Sequence, residues 1–287
     1  MNLLKSILKG MVIGVANAIP GVSGGTMAVS MGIYDKLIHA LTHLFKEFKK
    51  SMQVIVPILI GAGLGVVVLA AVIEKMFEAI PIQTNMLFIG LIIGGLPIIL
   101  NKVKGQKVSA GGVIGFLVFF VIVVGLAAIG ESEGAAADVS FGFVNVLKLF
   151  GVGIVAAATM VIPGVSGSMM LMIMGYYETI IEVINDFVKS IIAFDIDAML
   201  TAMGVLVPFG IGAVFGIFAI AKLVEIVFEK APLIAYWSII GLIVSSPIGI
   251  ILMNKTAFVE GLNPISIITG LVALVAGGLV ALKLGGE

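Results

Sequence analysis

Two interruptions of the same kind constrain how this apolar chain folds. Residues 19–25 read IPGVSGG and residues 162–168 read IPGVSGS, each in the middle of an apolar run. The Pro-Gly pair splits each run into two arms of about nine residues, which as helix reach about 14 Å, or about half of a hydrocarbon core. The sequence therefore predicts two re-entrant helical hairpins, at about 10–34 and 151–177.

The rest of the chain consists of long apolar segments joined by short charged loops. Of the 287 residues, 61% are hydrophobic and 11% are charged, whereas about a quarter of a soluble domain is charged. The mean hydropathy is +1.28. We expect an all-α polytopic membrane protein, because the short alternating segments of a membrane barrel are missing.

The internal repeat extends over both halves of the chain. Prolines, glycines and a glutamate recur in the same order after each interruption, as with Pro57 and Pro208. The first predicted repeat is 1–140, with ordinary spans at about 54–73, 85–100 and 108–129. The second is 141–287, with spans at about 200–221, 233–252 and 265–282.

The lysines indicate how the two repeats are oriented. A re-entrant hairpin with three spans crosses the membrane an odd number of times, which inverts the second repeat. With a cytoplasmic N-terminus, 12 of the 16 lysines fall on the cytoplasmic side, as the positive-inside rule requires. We therefore expect both termini in the cytoplasm and two inverted repeats in the cytoplasmic (inner) membrane. The alternative is eight plain spans with Pro-Gly kinks, which gives parallel repeats and divides the lysines nine to seven.

Composition excludes several function classes. The formal net charge is zero, so the basic surface of a nucleic-acid-binding protein is missing. Cysteine is absent, and the two histidines, His39 and His43, lie on one charged stretch, so we expect neither a metal nor a cofactor. Arginine is absent as well. A phosphate site must therefore use lysine, hydroxyls and backbone N–H groups.

The repeated loops have the composition of an anion site. Pro20 and Pro163 end the first arms, and the glycines let the backbone turn and let another group approach it. Hydroxyls cap the returning helices, from Ser23 or Thr26 and from Ser166 or Ser168. The first N–H groups of each helix are then free to face a cavity, and inversion brings both loops together near the midplane. The alternative is that the small residues serve only close helix packing.

Charged residues that match between the repeats are further candidates. Lys5 and Lys148 each precede an interrupted segment and are placed to guide a phosphate, although lysines at helix ends also snorkel to the interface. Asp35 matches Glu178 and Glu74 matches Glu225, and each pair is a candidate to carry a coupling H⁺ or Na⁺. The alternative is that all four carboxylates are hydrated side chains that cap helix ends at the membrane interface.

Gly-Val-Ser-Gly is also similar to the nucleophile motif of rhomboid-type intramembrane proteases. A nucleophilic serine needs a base within hydrogen-bond reach. Both histidines follow the first loop, the second half has none, and a nucleophile gains nothing from duplication. We therefore expect no enzyme, with an intramembrane serine hydrolase as the remote alternative.

The segments ANAIPGVSGGT at 16–26 and TMVIPGVSGS at 159–168 resemble the polyprenyl-phosphate transporter (PopT) family over nearly the whole chain. The resemblance implies a flippase that translocates undecaprenyl phosphate across the cytoplasmic membrane, recycling the lipid carrier of cell-envelope synthesis. The binding residues that it implies are Asn17, Pro20, Gly21, Ser23, Gly24, Gly25, Thr26, Thr159, Pro163, Gly164, Ser166, Gly167 and Ser168. Met160 faces Asn17 in the repeat, and Ser168 faces Gly25, so the site is not strictly two-fold symmetric. The alternative is an ion-coupled transporter or channel for a small soluble anion; the oligomeric state is not predicted.

The inverted arrangement predicts which face each loop reaches. Because the chain has no cysteine, single cysteines report their own position when labelled with an impermeant thiol reagent. We expect a cysteine replacing Phe48 to react from the cytoplasm and cysteines replacing Gly134 or Asn185 to react from outside. Cytoplasmic labelling at Asn185 together with external labelling at Gly134 would contradict the inverted repeat.

Overall fold

The structure is a computed structural model that describes residues 3–18, 22–129, 137–140 and 142–285. The side chains of Ala18, Ala70, Ala71 and Glu74 are outside the description, as is Gly134. Within these ranges the chain is helical and contains no strand, as predicted.

The helices of the first half run from Leu3 to Ile129. They are α1 Leu3–Ala18, α2 Gly24–Ser30, α3 Tyr34–Thr42, α4 Phe48–Leu64, α5 Ala70–Ala79, α6 Pro81–Val103 and α7 Ala110–Ile129. A π-helical segment, Gly65–Leu69, joins α4 to α5.

The second half repeats most of this order. Its helices are α8 Phe143–Val161, α9 Gly167–Ile173, α10 Tyr177–Ala193, α11 Ile196–Lys230, α12 Pro232–Met253, α13 Lys255–Glu260 and α14 Pro264–Gly285. Pro81 and Pro232 begin α6 and α12, where a residue without an N–H fits. Asp195 caps α11 by accepting a hydrogen bond from the Ala198 N–H at 3.0 Å.

Seven helices in the described part of the chain are long and apolar enough to cross a membrane. Six of them overlap the predicted ordinary spans, and the seventh is α8. The chain is thus a multi-pass membrane protein. In addition, α9 and α10 meet at a bend of 111°.

The interrupted segments have unequal arms, so the prediction of two arms of about nine residues is wrong. The entering helices α1 and α8 have 16 and 19 residues, whereas the returning helices α2 and α9 have 7 each. Both returning helices end at a glycine with positive φ, Gly32 at 66° and Gly175 at 75°. The Ile33 N–H donates to Ala28 O and the Tyr176 N–H to Leu171 O, which is the Schellman arrangement that ends a helix.

The packing of the entering helices is repeated in the two halves. A β-carbon on Gly61 would lie 2.1 Å from Ile7 O, and one on Gly212 would lie 2.0 Å from Phe150 O. Gly61 and Gly212 therefore let α4 and α11 approach α1 and α8 closely, as small residues do between membrane helices.

The last helices are exchanged between the halves. Helix α6 of the first half packs on α14 of the second half, and α12 of the second half packs on α7 of the first. Each of these two helix pairs therefore contains one helix from each half. All seven residues of α2 are buried. Helix α2 thus lies in the interior, whereas α7 presents apolar side chains such as Leu117 and Val121 outward.

The repeated glycine contacts predict where a single methyl group destabilises the protein. Alanine at Gly61 or Gly212 should lower the thermal unfolding temperature in detergent, because overpacking costs about 1–3 kcal/mol. Alanine at Gly63 or Gly210, where no atom lies within 4 Å of an added β-carbon, provides the matched controls. Equal unfolding temperatures within each pair would show that these contacts do not hold the helices.

Candidate functional site

The first loop is braced by side chains. Asn17 Oδ1 accepts a hydrogen bond from the Gly24 N–H at 3.1 Å, which fixes the start of α2 to the end of α1. Ser23 is the N-cap of α2, and its Oγ accepts from the Thr26 N–H at 3.4 Å. Pro20 and Gly21, both predicted binding residues, lie outside the described residues.

The second loop has the same sequence but a different hydrogen-bond pattern. Gly164 turns the chain with φ +81°. Ser166 precedes α9 without capping it, and its Oγ lies 2.8 Å from Ser168 Oγ. Met160 occupies the place of Asn17, and a β-carbon on Gly167 would lie 2.4 Å from Met160 Cγ. Asn17 thus has no counterpart at the start of α9, and Ser166, the counterpart of Ser23, does not cap the helix.

The two loops meet inside the protein. The Gly164 N–H donates a hydrogen bond to Thr26 Oγ1 at 2.6 Å. Gly25 lies against the second loop, where a β-carbon would be 3.1 Å from Val161 O and 3.2 Å from Pro163 Cα. The convergence expected from the sequence is thus present in the structure, and Thr26 joins the halves.

A cavity of about 20 Å³ lies between the loops. We call it the cradle. Its polar lining consists of the hydroxyl groups of Ser23, Thr26, Ser166 and Ser246, which are all buried. The other lining residues are Val22, Ile92, Val123, Ala127, Gly164, Met169, Gly249, Ile250 and Met253. Because a water needs at least about 10–15 Å³, the cradle is closed to anything much larger.

Ser246 is a cradle residue that sequence reasoning missed. It lies on α12, and its Oγ donates to Leu242 O at 2.7 Å. The corresponding residue of α6 is Gly95, where a β-carbon would lie 2.2 Å from Ser30 Cα. Glycine thus closes α6 onto α2, whereas serine lines the cradle on α12. The sequence contained a signal for this residue, because Ser245 and Ser246 are a polar pair within an otherwise apolar helix.

Backbone donors are less available than the sequence indicated. The N–H groups of Gly24, Thr26 and Gly164 are bonded to side-chain oxygens, so two of the first N–H groups of α2 are not free, contrary to the prediction. The reason is that Asn17 and Ser23 satisfy them locally. A ligand in the cradle would therefore meet hydroxyl groups and the uncapped start of α9.

The predicted guiding lysines do not contact the cradle. Lys5 and Lys148 are exposed and lie 13 residues before the ends of α1 and α8, which is about 20 Å along a helix. The buried lysine is Lys9, whose Nζ donates to Met31 O at 2.8 Å. A cation there stabilises the C-terminal end of α2. Thr159, another predicted site residue, donates only to Val155 O and Ala156 O.

The four candidate coupling carboxylates have different surroundings. Asp35 accepts a hydrogen bond from Tyr236 Oη at 3.4 Å and lies 3.8 Å from Lys102 Nζ. Glu178 is exposed, Glu225 is buried, and the side chain of Glu74 is not described. Asp35 and Glu178, which match in the repeat, therefore have different surroundings.

A larger cavity of about 670 Å³ lies between α8, α10 and α11. Asp186 lines it, and Asp138 is adjacent in sequence to its lining residue Val139. The Ser140 N–H donates to Asp138 Oδ1 at 2.9 Å and lowers the pKa of that carboxyl. The charged side chain that lines this cavity is a carboxylate, whereas the polar lining of the cradle consists of hydroxyl groups, so the cradle is the better candidate for a phosphate.

Comparisons with known proteins find a family and named relatives for this chain. A family profile described as undecaprenyl phosphate translocase-like matches residues 13–265. A protein named polyprenyl-phosphate transporter from Staphylococcus aureus (strain NCTC 8325 / PS 47) is 30% identical over 285 residues, covering 98% of this chain and 95% of the relative. One of the same name from Vibrio cholerae serotype O1 (strain ATCC 39315 / El Tor Inaba N16961) is 26% identical over 206 residues, covering 67% of this chain and 64% of the relative. No solved structure matches the chain significantly.

The hydrogen bond between the loops predicts a difference between two buried threonines. Thr26→Val leaves the Gly164 N–H without its acceptor and should destabilise the protein by about 1–3 kcal/mol. Thr159→Val is the matched control, because the Thr159 hydroxyl only bonds carbonyls of its own helix. Thermal unfolding in detergent measures both, and equal stability of the two variants would contradict the proposed junction.

Proposed function

The chain belongs to the undecaprenyl phosphate translocase-like family, and from this premise we propose that it carries a polyprenyl phosphate across the membrane. Two relatives bear the name polyprenyl-phosphate transporter, which supports transport rather than catalysis. We propose undecaprenyl phosphate as the lipid and recycling of the lipid carrier in the cytoplasmic membrane as the role.

The observation that carries the proposal is the cradle between the two repeated loops. A monophosphate on an apolar chain needs a small polar site inside the membrane protein. Ser23, Ser166 and Ser246 supply hydroxyl groups from three separate elements. Hydrogen bonds from such groups to a charged ligand contribute about 1.5–3 kcal/mol each, so three or four of them hold a phosphate without a buried arginine.

The position of α7 supports a lipid rather than a soluble anion. Val123 and Ala127 line the cradle, while Val121 and Ile122 on the same helix are exposed. One helix thus separates the polar site from the hydrocarbon. If α7 moves away from α12, the phosphate reaches the cradle sideways and the polyprenyl tail stays in the lipid.

The closed cradle represents an occluded form in this proposal. A volume of about 20 Å³ has room for about one water, so a phosphate enters only when the loops separate. Since the loops belong to different halves, a relative movement of the helices that carry them opens the cradle. Inverted repeats provide such a motion toward each side in turn, and we propose that the halves are inverted.

Two other functions remain as alternatives. A transporter for a small soluble anion needs a water-filled path, whereas the side chains around the cradle are mostly apolar. A serine hydrolase needs a base next to its nucleophile. Ser166 instead pairs with Ser168, and none of the described residues that line the cradle has a titratable side chain. Coupling to H⁺ or Na⁺ through Asp35, Glu74, Glu178 or Glu225 is a separate proposal.

Ligand selectivity tests the function. Purified protein in detergent should bind undecaprenyl phosphate, and neither the neutral polyprenol nor inorganic phosphate should compete at equal concentration, because one lacks the charge and the other the tail. Ser23→Ala and Ser166→Ala should each weaken binding by about 10- to 100-fold, the equivalent of one hydrogen bond to a charged group. Translocation in vesicles should fall in parallel.

Ser190→Ala is the matched control for the two serine variants, because this buried serine on α10 donates to Phe187 O.

Gly24→Val and Gly167→Val should abolish binding of undecaprenyl phosphate while the protein still inserts into the membrane. Lys5→Gln and Lys148→Gln should weaken it only modestly. Complete loss from one serine, no effect from the other and a released cleavage product would instead identify a hydrolase.

A further inference from the structure

Both histidines of the chain converge on one buried glutamate. His39 lies in α3, His43 follows its last residue, and Glu225 lies near the end of α11. Nδ1 of His43 is 3.1 Å and Nδ1 of His39 is 3.9 Å from Glu225 Oε1. Only 8% of the Glu225 side chain is exposed, whereas the side chains of His43 and His39 are 25% and 61% exposed.

The spacing of these atoms matches that of ligands around one metal ion. One ligand atom from each of the three residues lies within 4.8 Å of the other two. In a tetrahedral site, two ligand atoms that each lie about 2.1 Å from the metal are about 3.4 Å from each other. The distances from the two histidine Nδ1 atoms to Glu225 Oε1 are close to this value. The imidazole rings are stacked, with centroids 4.1 Å apart and planes inclined by 26°, and the Nδ1 atoms of both lie near the same carboxylate oxygen.

The surroundings of Glu225 orient its carboxylate toward the histidines. Thr42 Oγ1 donates to Oε1 at 2.7 Å, as second-shell groups do around metal ligands. Lys222 binds the other oxygen, Oε2. Oε1 is thus held toward the imidazoles, and the half-exposed Lys222 competes with a cation for the charge of the carboxylate.

We propose that His39, His43 and Glu225 form a binding site for a divalent transition-metal ion of the Zn²⁺ type. Two imidazoles and a carboxylate are ligands that Zn²⁺ accepts in proteins. The exposure of His39 leaves room for water as the fourth ligand. Because α3 follows the first loop and α11 belongs to the second half, a bound ion would clamp the two halves together at a place separate from the cradle.

Metal binding by the purified protein tests this proposal. The whole chain is prepared without a polyhistidine tag, incubated with Zn²⁺ and desalted, and the metal is measured by mass spectrometry. We expect about one ion per chain and a higher thermal unfolding temperature with Zn²⁺ than with Mg²⁺. Co²⁺ should give a visible spectrum without thiolate charge transfer, because the chain has no cysteine.

Variants then assign the ligands. The double variant His39→Ala/His43→Ala and the single variant Glu225→Gln should lose the bound ion, whereas Glu229→Gln, an exposed carboxylate one turn further along α11, should keep it. Thr42→Val should lower the affinity by about 10-fold. Lys222→Met should raise it, and this gain keeps the proposal testable if a ligand variant fails to fold.

Two results would overturn the proposal. One is a wild-type protein that retains no Zn²⁺ after desalting, which would leave the cluster as an ordinary histidine–carboxylate ion pair. The other is equal Zn²⁺ retention by the wild type and the double histidine variant, which would place the metal elsewhere. Neither result bears on the cradle, because the cluster and the cradle share no residue.

Discussion

Every backbone N–H and C=O group inside a lipid bilayer must find a partner within the protein. Two helices of this chain are interrupted by Pro-Gly loops, and the exposed backbone groups of those loops would be costly in hydrocarbon. The structure satisfies one of them across the interface between the halves, where the Gly164 N–H donates to Thr26 Oγ1 at 2.6 Å. The contact between loops thus follows from backbone chemistry, and it creates a small polar site in the interior.

The repeat is close in sequence but unequal in function. Asn17 braces the first loop, and Met160 leaves the second loop without that brace. Gly95 closes α6 onto α2, whereas Ser246 adds a hydroxyl to the cradle on α12. Helix α2 is therefore fixed and fully buried, whereas the side chain of Ser166 does not cap the start of α9. The two loops of the proposed site are thus braced differently.

Features that depend on local patterns could be predicted from the sequence. The apolar runs indicated membrane helices, and the two copies of IPGVSG indicated interrupted segments whose loops meet. Helix lengths were less predictable, because the Schellman turns at Gly32 and Gly175 end α2 and α9 after 7 residues each. The cluster of His39, His43 and Glu225 was not predicted, because it depends on α3 docking against α11. These helices are far apart in the chain: Thr42 and Glu225, which form a hydrogen bond, are separated by 183 residues.

We propose that loops from both halves hold the phosphate of one lipid. Photo-crosslinking with a polyprenyl phosphate that carries a diazirine next to the phosphate tests it most directly, with the adducts located by peptide mass spectrometry. We expect adducts in both loops, within 22–26 and 164–169, and we expect excess undecaprenyl phosphate to suppress them. Adducts confined to one loop, or located around Asp186 in the larger cavity, would contradict it.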